Sequence, residues 1–149
     1  MRQIQFRGRK VSDGKWVLGF YAEPTWCWHK FGKHNAWIIT GAVSNGGYFN
    51  VTGRFAVEND TVGQYVGLCD TNGLKIFEGD VVRFTRTDAL GWTRERVGVV
   101  KYYDRLPVFY ILSSTGDAWD WVVCENITVI GNIHDNPELM KKEDDNAGL

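Results

Sequence analysis

Cysteine is scarce in this sequence and poorly placed for joint work. Cys27, Cys69 and Cys124 are odd in number, far apart, and in no Cys-x-x-Cys spacing. That speaks against a disulfide framework and against the paired thiolates of a structural zinc site, and it fits a reduced compartment. Long apolar runs are missing too, so no membrane span is expected. The opening Met1-Arg2-Gln3-Ile4-Gln5-Phe6-Arg7 lacks the apolar centre of a secretion signal, so a cytoplasmic protein is expected. Charge of one sign is also lacking: the formal net charge is -1, without the basic excess usual in nucleic-acid binders, although a local patch stays open. No Gly-rich phosphate loop, nucleophile elbow or HExxH is present. No enzyme, cofactor or metal is therefore expected.

What the chain does have is aromatic weight and turns. Seven Trp within 149 residues and 44% hydrophobic content predict a folded protein with some indoles at the surface. Period-two alternation starts at Gln3–Arg7, and a turn at Ser12-Asp13-Gly14-Lys15 leads into a strand over Trp16–Tyr21. A loop with aromatic anchors is expected over 25–35. Ala36–Thr40 and Tyr48–Val57 read as strands flanking the turn Ser44-Asn45-Gly46-Gly47. Glu58-Asn59-Asp60-Thr61 marks the seam between a β-rich part (1–62) and a second part (63–140), with a flexible tail (141–149).

The second part is organised around residues 64–84. Tyr65, Val66 and Leu68 run into Asp70-Thr71-Asn72-Gly73, which predicts a tight hairpin turn with Gly73 at positive φ. Ile76-Phe77 follows, then a bend at Glu78-Gly79-Asp80 and a strand over Val81–Phe84. Tyr65, Leu68, Ile76, Phe77, Val82 and Phe84 are the expected core. Thr85–Thr93 reads as a mobile polar loop. Four further strands are expected at Val97–Tyr103, Val108–Leu112, Ala118–Val123 and Ile127–Ile133, then a short C-terminal helix from Pro137, capped by Asn136. The fold class is mainly β. The strand count of the second part matches a small SH3-like barrel, which counting alone does not separate from an OB-like one.

Gln64-Tyr65-Val66-Gly67-Leu68-Cys69-Asp70-Thr71-Asn72-Gly73, running into Ile76-Phe77-Glu78-Gly79-Asp80-Val81-Val82, closely resembles the central signature of the YopX family of phage and prophage proteins. Arg2–Arg7 resembles that family's opening strand, and Val129-Ile130-Gly131-Asn132-Ile133-His134-Asp135-Asn136-Pro137-Glu138-Leu139 its closing signature. The resemblance implies a β-rich phage or prophage protein without an assigned reaction, acting in a bacterial host. It supplies no catalytic residues. Gly67, Asp70, Asn72, Gly73, Glu78, Gly79, Asp80, Gly131, Asn132, Asn136 and Pro137 are expected to be structural.

Other constellations weigh against chemistry in the same way. Cys27, His29 and His34 form one cluster of soft ligands, short of the four a structural zinc needs. Glu78 and Asp80 flank Gly79 without the cleft that a catalytic carboxylate pair requires. His134-Asp135 has no nucleophile tied to it and serves as a lead-in to the helix. The one binding candidate places Trp119 and Trp121 on one face of a strand, near Arg94, Arg96 and Lys101. Two functions follow from this reading. The first is a non-enzymatic binding or adaptor module acting through an unidentified protein partner. The alternative is a single-stranded nucleic-acid binder that uses these Trp and Arg residues.

Overall fold

The computed structural model describes residues 3–23 and 36–141. The aromatic loop expected over 25–35, with Cys27, His29 and His34, lies outside the described residues, as does the tail from 142. Two compact units divide between Tyr65 and Val66, inside a strand and a few residues beyond the expected seam.

The first unit is an antiparallel sheet of β1 (Phe6–Arg9), β2 (Trp16–Ala22), β3 (Ala36–Asn45) and β4 (Tyr48–Val57), in the order β4-β3-β2-β1. The start of β5 (Gly63–Cys69) pairs with β1 through Phe6↔Gln64 and Arg7↔Gly63. Alternation decides which face is inside. Ala36, Ile38 and Val57 are fully buried, and Phe6, Val17 and Val62 pack on them.

The second unit is a five-stranded antiparallel sheet in the order β10-β9-β8-β7-β11. Its strands are β7 (Asp80–Thr87), β8 (Thr93–Tyr103), β9 (Val108–Ser113), β10 (Ala118–Trp119) and β11 (Glu125–Asn132). The end of β5 and the short β6 (Lys75–Phe77) form the hairpin around Asp70–Gly73. Ile76, Val82, Phe84, Val100, Ile111 and Cys124 make the core, with Trp119, Trp121, Ile127 and Val129 against it. The sheet is open, so the expected barrel closure is not observed.

Gly73 and Gly79 adopt φ of 80° and 84°, the left-handed region a Cβ disfavours. Asp70 holds the turn: Oδ1 accepts from Asn72 N (2.8 Å) and Leu74 N (2.9 Å), and Oδ2 from Val129 N (3.0 Å). Burial pushes the Asp70 carboxyl up, but these three donors outweigh it and leave the pKa below the ordinary value.

Several expectations need correction. Leu68 is 47% exposed, whereas Tyr65, Ile76, Phe77, Val82 and Phe84 are buried; of these, Ile76, Val82 and Phe84 form the core of the second unit. Thr85–Thr93 is not a long loop, because β7 runs to Thr87 and β8 starts at Thr93. The strand expected over Ala118–Val123 stops at Trp119, where Asp120 caps a 3-10 turn over Trp121–Val123. The C-terminal helix is a single 3-10 turn, Pro137–Met140, and Asn136 makes no side-chain cap bond to it. Asn136 Oδ1 instead accepts from Asn132 N, and the space beside Gly131 leaves no room for a Cβ, which would lie 2.5 Å from that oxygen.

Candidate functional site

Residues directly opposite in an antiparallel ladder share a face. Along β7 and β8 the pairs Val82↔Gly98, Phe84↔Arg96 and Arg86↔Arg94 therefore project to the core side of the sheet. The inner end of this row is apolar. Toward its outer end Arg96 faces Phe84, and Arg86 faces Arg94 beyond it.

Gly98 permits the close packing behind them. A Cβ there would sit 2.5 Å from Ile111 Cγ2 and 2.8 Å from the Leu112 carbonyl oxygen. Trp119, opposite Ile111 on β10, reaches beneath the arginines. The Arg86 guanidinium lies 4.0 Å from the Trp119 ring centroid and that of Arg96 lies 5.7 Å away, both within cation–π range. Trp119 Nε1 is buried and meets no acceptor among the described residues.

Arg86, Asp88, Trp92, Arg94 and Arg96 line a groove of about 170 Å³. The loop at its mouth is built by Asp88, whose Oδ1 accepts from Leu90 N (2.9 Å) and Trp92 N (3.0 Å). That turn leaves Trp92 67% exposed.

The sequence-predicted residues separate accordingly. Arg94, Arg96 and Trp119 come together. Trp121 does not share a strand with Trp119; its Nε1 donates to the Phe109 carbonyl at 2.8 Å from within the 3-10 turn. Lys101 lies an odd number of residues from Arg94 and Arg96 and points to the opposite face, across from Tyr110. Arg86 and Trp92 belong to the groove and were hidden by the loop reading of their segment. The pairing Arg86↔Arg94 is the signal that could have found them, and it appears only once the register is known.

The catalytic candidates are tied into structure. Asp80 is 1% exposed and its Oδ2 accepts from Phe77 N at 2.8 Å. Asp135 Oδ2 accepts from Asn132 Nδ2 (2.9 Å), and Asn132 Oδ1 takes the backbone N–H groups of His134 and Asp135. Burial, and secondarily the Asp120 charge, push the Cys124 thiol up to about 11, opposed by Arg86, so it stays protonated near neutrality. Among the described residues no group of three His, Cys, Asp or Glu could hold a metal ion, and no helix is long and apolar enough to cross a membrane.

A second surface lies in the first unit. The register places Trp16, Leu18 and Phe20 of β2 on one face with Trp37 and Ile39 of β3, away from Ile38 and Val57. Phe20 is 66% exposed and Leu18 48%, although β2 is an interior strand. Arg7 lies 4.7 Å from the Trp16 ring and Arg54 5.2 Å from the Trp37 ring, on the strands either side of this row.

The geometry defines a class: a mainly β protein of two antiparallel sheets, each unit carrying an exposed aromatic and cationic surface. The chain belongs to the YopX family, whose model, described as YopX protein, matches residues 9–141. The fold is similar to the crystal structure of protein EF1440 from Enterococcus faecalis, with a TM-score of 0.57 at 22% identity, over 95% of this chain and 100% of that one. At that identity the likeness is one of fold alone. No curated protein matches the chain.

Proposed function

We propose that the protein is a non-enzymatic adaptor that acts through protein contacts in a bacterial host carrying phage or prophage DNA. The observation that carries this is the outer face of the first sheet. An interior strand normally spends its apolar side chains on a core, yet β2 presents Leu18 and Phe20 to solvent beside Trp16, Trp37 and Ile39. A contiguous apolar patch rimmed by polar groups is the usual mark of a protein interface. The indoles are also the residue type that dominates binding energy at such interfaces. Arg54, exposed over Trp37, adds a cationic margin, so the fitting partner is an apolar surface edged with carboxylates.

The reading is tested by placing a photo-crosslinking phenylalanine analogue at position 20 and irradiating living host cells. A discrete protein adduct is expected at position 20 and not at Leu90, which is 84% exposed and belongs to the second unit. Phe20→Asp should abolish co-purification of the same partner while leaving the melting temperature within about 2 °C, because an exposed side chain contributes little to stability. An adduct pattern identical at positions 20 and 90 would sink the proposal.

A further inference from the structure

We infer that the groove at the β7–β8 hairpin is a binding site for single-stranded nucleic acid, in which Arg86, Arg94 and Arg96 take phosphates and Trp92 stacks on a base. The site is separate from the protein-contact face proposed above, and each can fail without the other.

Folding alone does not explain this cluster. Like charges directly opposite in a ladder are destabilising, and Arg86 faces Arg94. Among the described residues, no carboxylate forms an ion pair with any of the three arginines. The neighbouring acids are occupied elsewhere. Glu95 meets Arg83 at 3.4 Å on the other face, and Asp88 Oδ1 serves its own loop. Asp117 Oδ2 accepts from Thr115 Oγ1, and Asp120 Oδ1 from Val122 N. The lining of the groove, about 170 Å³, therefore sets three guanidiniums against the one carboxylate of Asp88, a net positive charge.

The arginines are also oriented in advance. Trp119 offers its ring to the Arg86 and Arg96 guanidiniums, which fixes planes of N–H donors of the kind that bind phosphate in bidentate fashion. Trp119 is thus a positioning residue, its ring covered by cations rather than free for a base. The free stacking surface is Trp92.

A single strand supplies both kinds of contact. Arg94 and Arg96 are two residues apart on one strand, about 6.8 Å by the strand rise, comparable with successive phosphates of an extended single strand. A duplex offers phosphates but keeps its base faces stacked, and an acidic peptide offers carboxylates with nothing for the indole. Small β domains bind single strands with this combination of cations and exposed aromatics.

The test is fluorescence anisotropy of the full chain with a labelled 12-nucleotide single strand, the matching duplex, and poly-glutamate of similar length. With three phosphate contacts the salt slope should be about -2, so raising salt from about 50 to about 200 mM should weaken binding about 20-fold. Arg94→Gln should lower the slope by about 0.7, and Trp92→Ala should weaken single-strand binding about tenfold. Lys101→Gln, on the opposite face, should change neither beyond a general electrostatic effect. Both Arg94 and Trp92 are exposed, so both variants should fold, which a circular-dichroism melt checks. No binding at about 50 mM salt overturns the inference. So does equal loss in Arg94→Gln and Lys101→Gln, duplex binding as tight as single-strand binding, or poly-glutamate binding as tight with Trp92→Ala unaffected.

Discussion

Asp70 offers a quantitative test of how the second unit is held. Asp70→Ala removes one carboxylate and with it three acceptor contacts, to Asn72 N, Leu74 N and Val129 N. Each hydrogen bond to a charged group is worth about 1.5–3 kcal/mol net when its donor cannot turn to water. Asn72 and Leu74 are exposed, so water replaces those two bonds cheaply. Val129 is half-buried on β11, and its N–H loses its acceptor. The expected cost is about 2.5 kcal/mol, with most of it at Val129. For a chain of this size that is roughly 5–10 °C in melting temperature by calorimetry. Asp70→Asn separates the two parts: its carbonyl keeps the turn, while its amide presents a donor to the Val129 donor, so most of the loss should remain.

The same carboxylate sets a pH dependence. Its folded pKa lies below the unfolded value near 3.9, so its contribution is fully present above that value and is lost as pH falls through the folded pKa. Acid titration of wild type should therefore show a loss below about pH 4 that Asp70→Asn lacks. Wild-type melting behaviour in Asp70→Ala, with unchanged Val129 amide exchange, would refute this account of the latch.

Phe77, 4% exposed, should cost about 3–5 kcal/mol on replacement by Ala, read as a lower denaturant midpoint, whereas Leu68→Ala should cost under about 1 kcal/mol. Gly98→Ala should destabilise by about 1–3 kcal/mol, because its Cβ meets Ile111 and a backbone carbonyl that cannot swing aside; an unchanged melt would show that the sheet yields there. Cys124 should react with a thiol reagent at pH 8 only as fast as the unit opens, so wild type and Cys124→Ser should consume the same number of fast equivalents.

Much of the fold is legible wherever apolar residues mark the inner face. Tyr48–Val57 alternates cleanly and is a strand over those same residues, and Asn72-Gly73 announces its turn. Legibility fails where inward positions are polar. Beyond Phe84 the core-side places of β7 and β8 pass to Arg86, Arg94 and Arg96, so the alternation fades while the backbone ladder continues to Thr87↔Thr93. The segment then looks like a polar loop, and the groove disappears with it. Parity explains the other misplacements. Lys101 is on the same strand as Arg94 and Arg96 but on its other face. Trp121 follows Trp119 at period two only until the Asp120 cap turns the chain.

The latch at Asp70 also orders events in time. The Asp70–Val129 bond spans 59 residues of sequence, and Thr71 N bonds the Ile127 carbonyl on the same late strand. A ribosome releases Asp70 well before it has made Val129. The turn therefore emerges with its outward acceptor unmet, and β7 lacks its β11 neighbour until Glu125–Asn132 is out. Contacts of long sequence separation close late and slowly. A nascent chain halted before residue 125 should thus carry an exposed β7 edge, the kind of surface on which chaperones act.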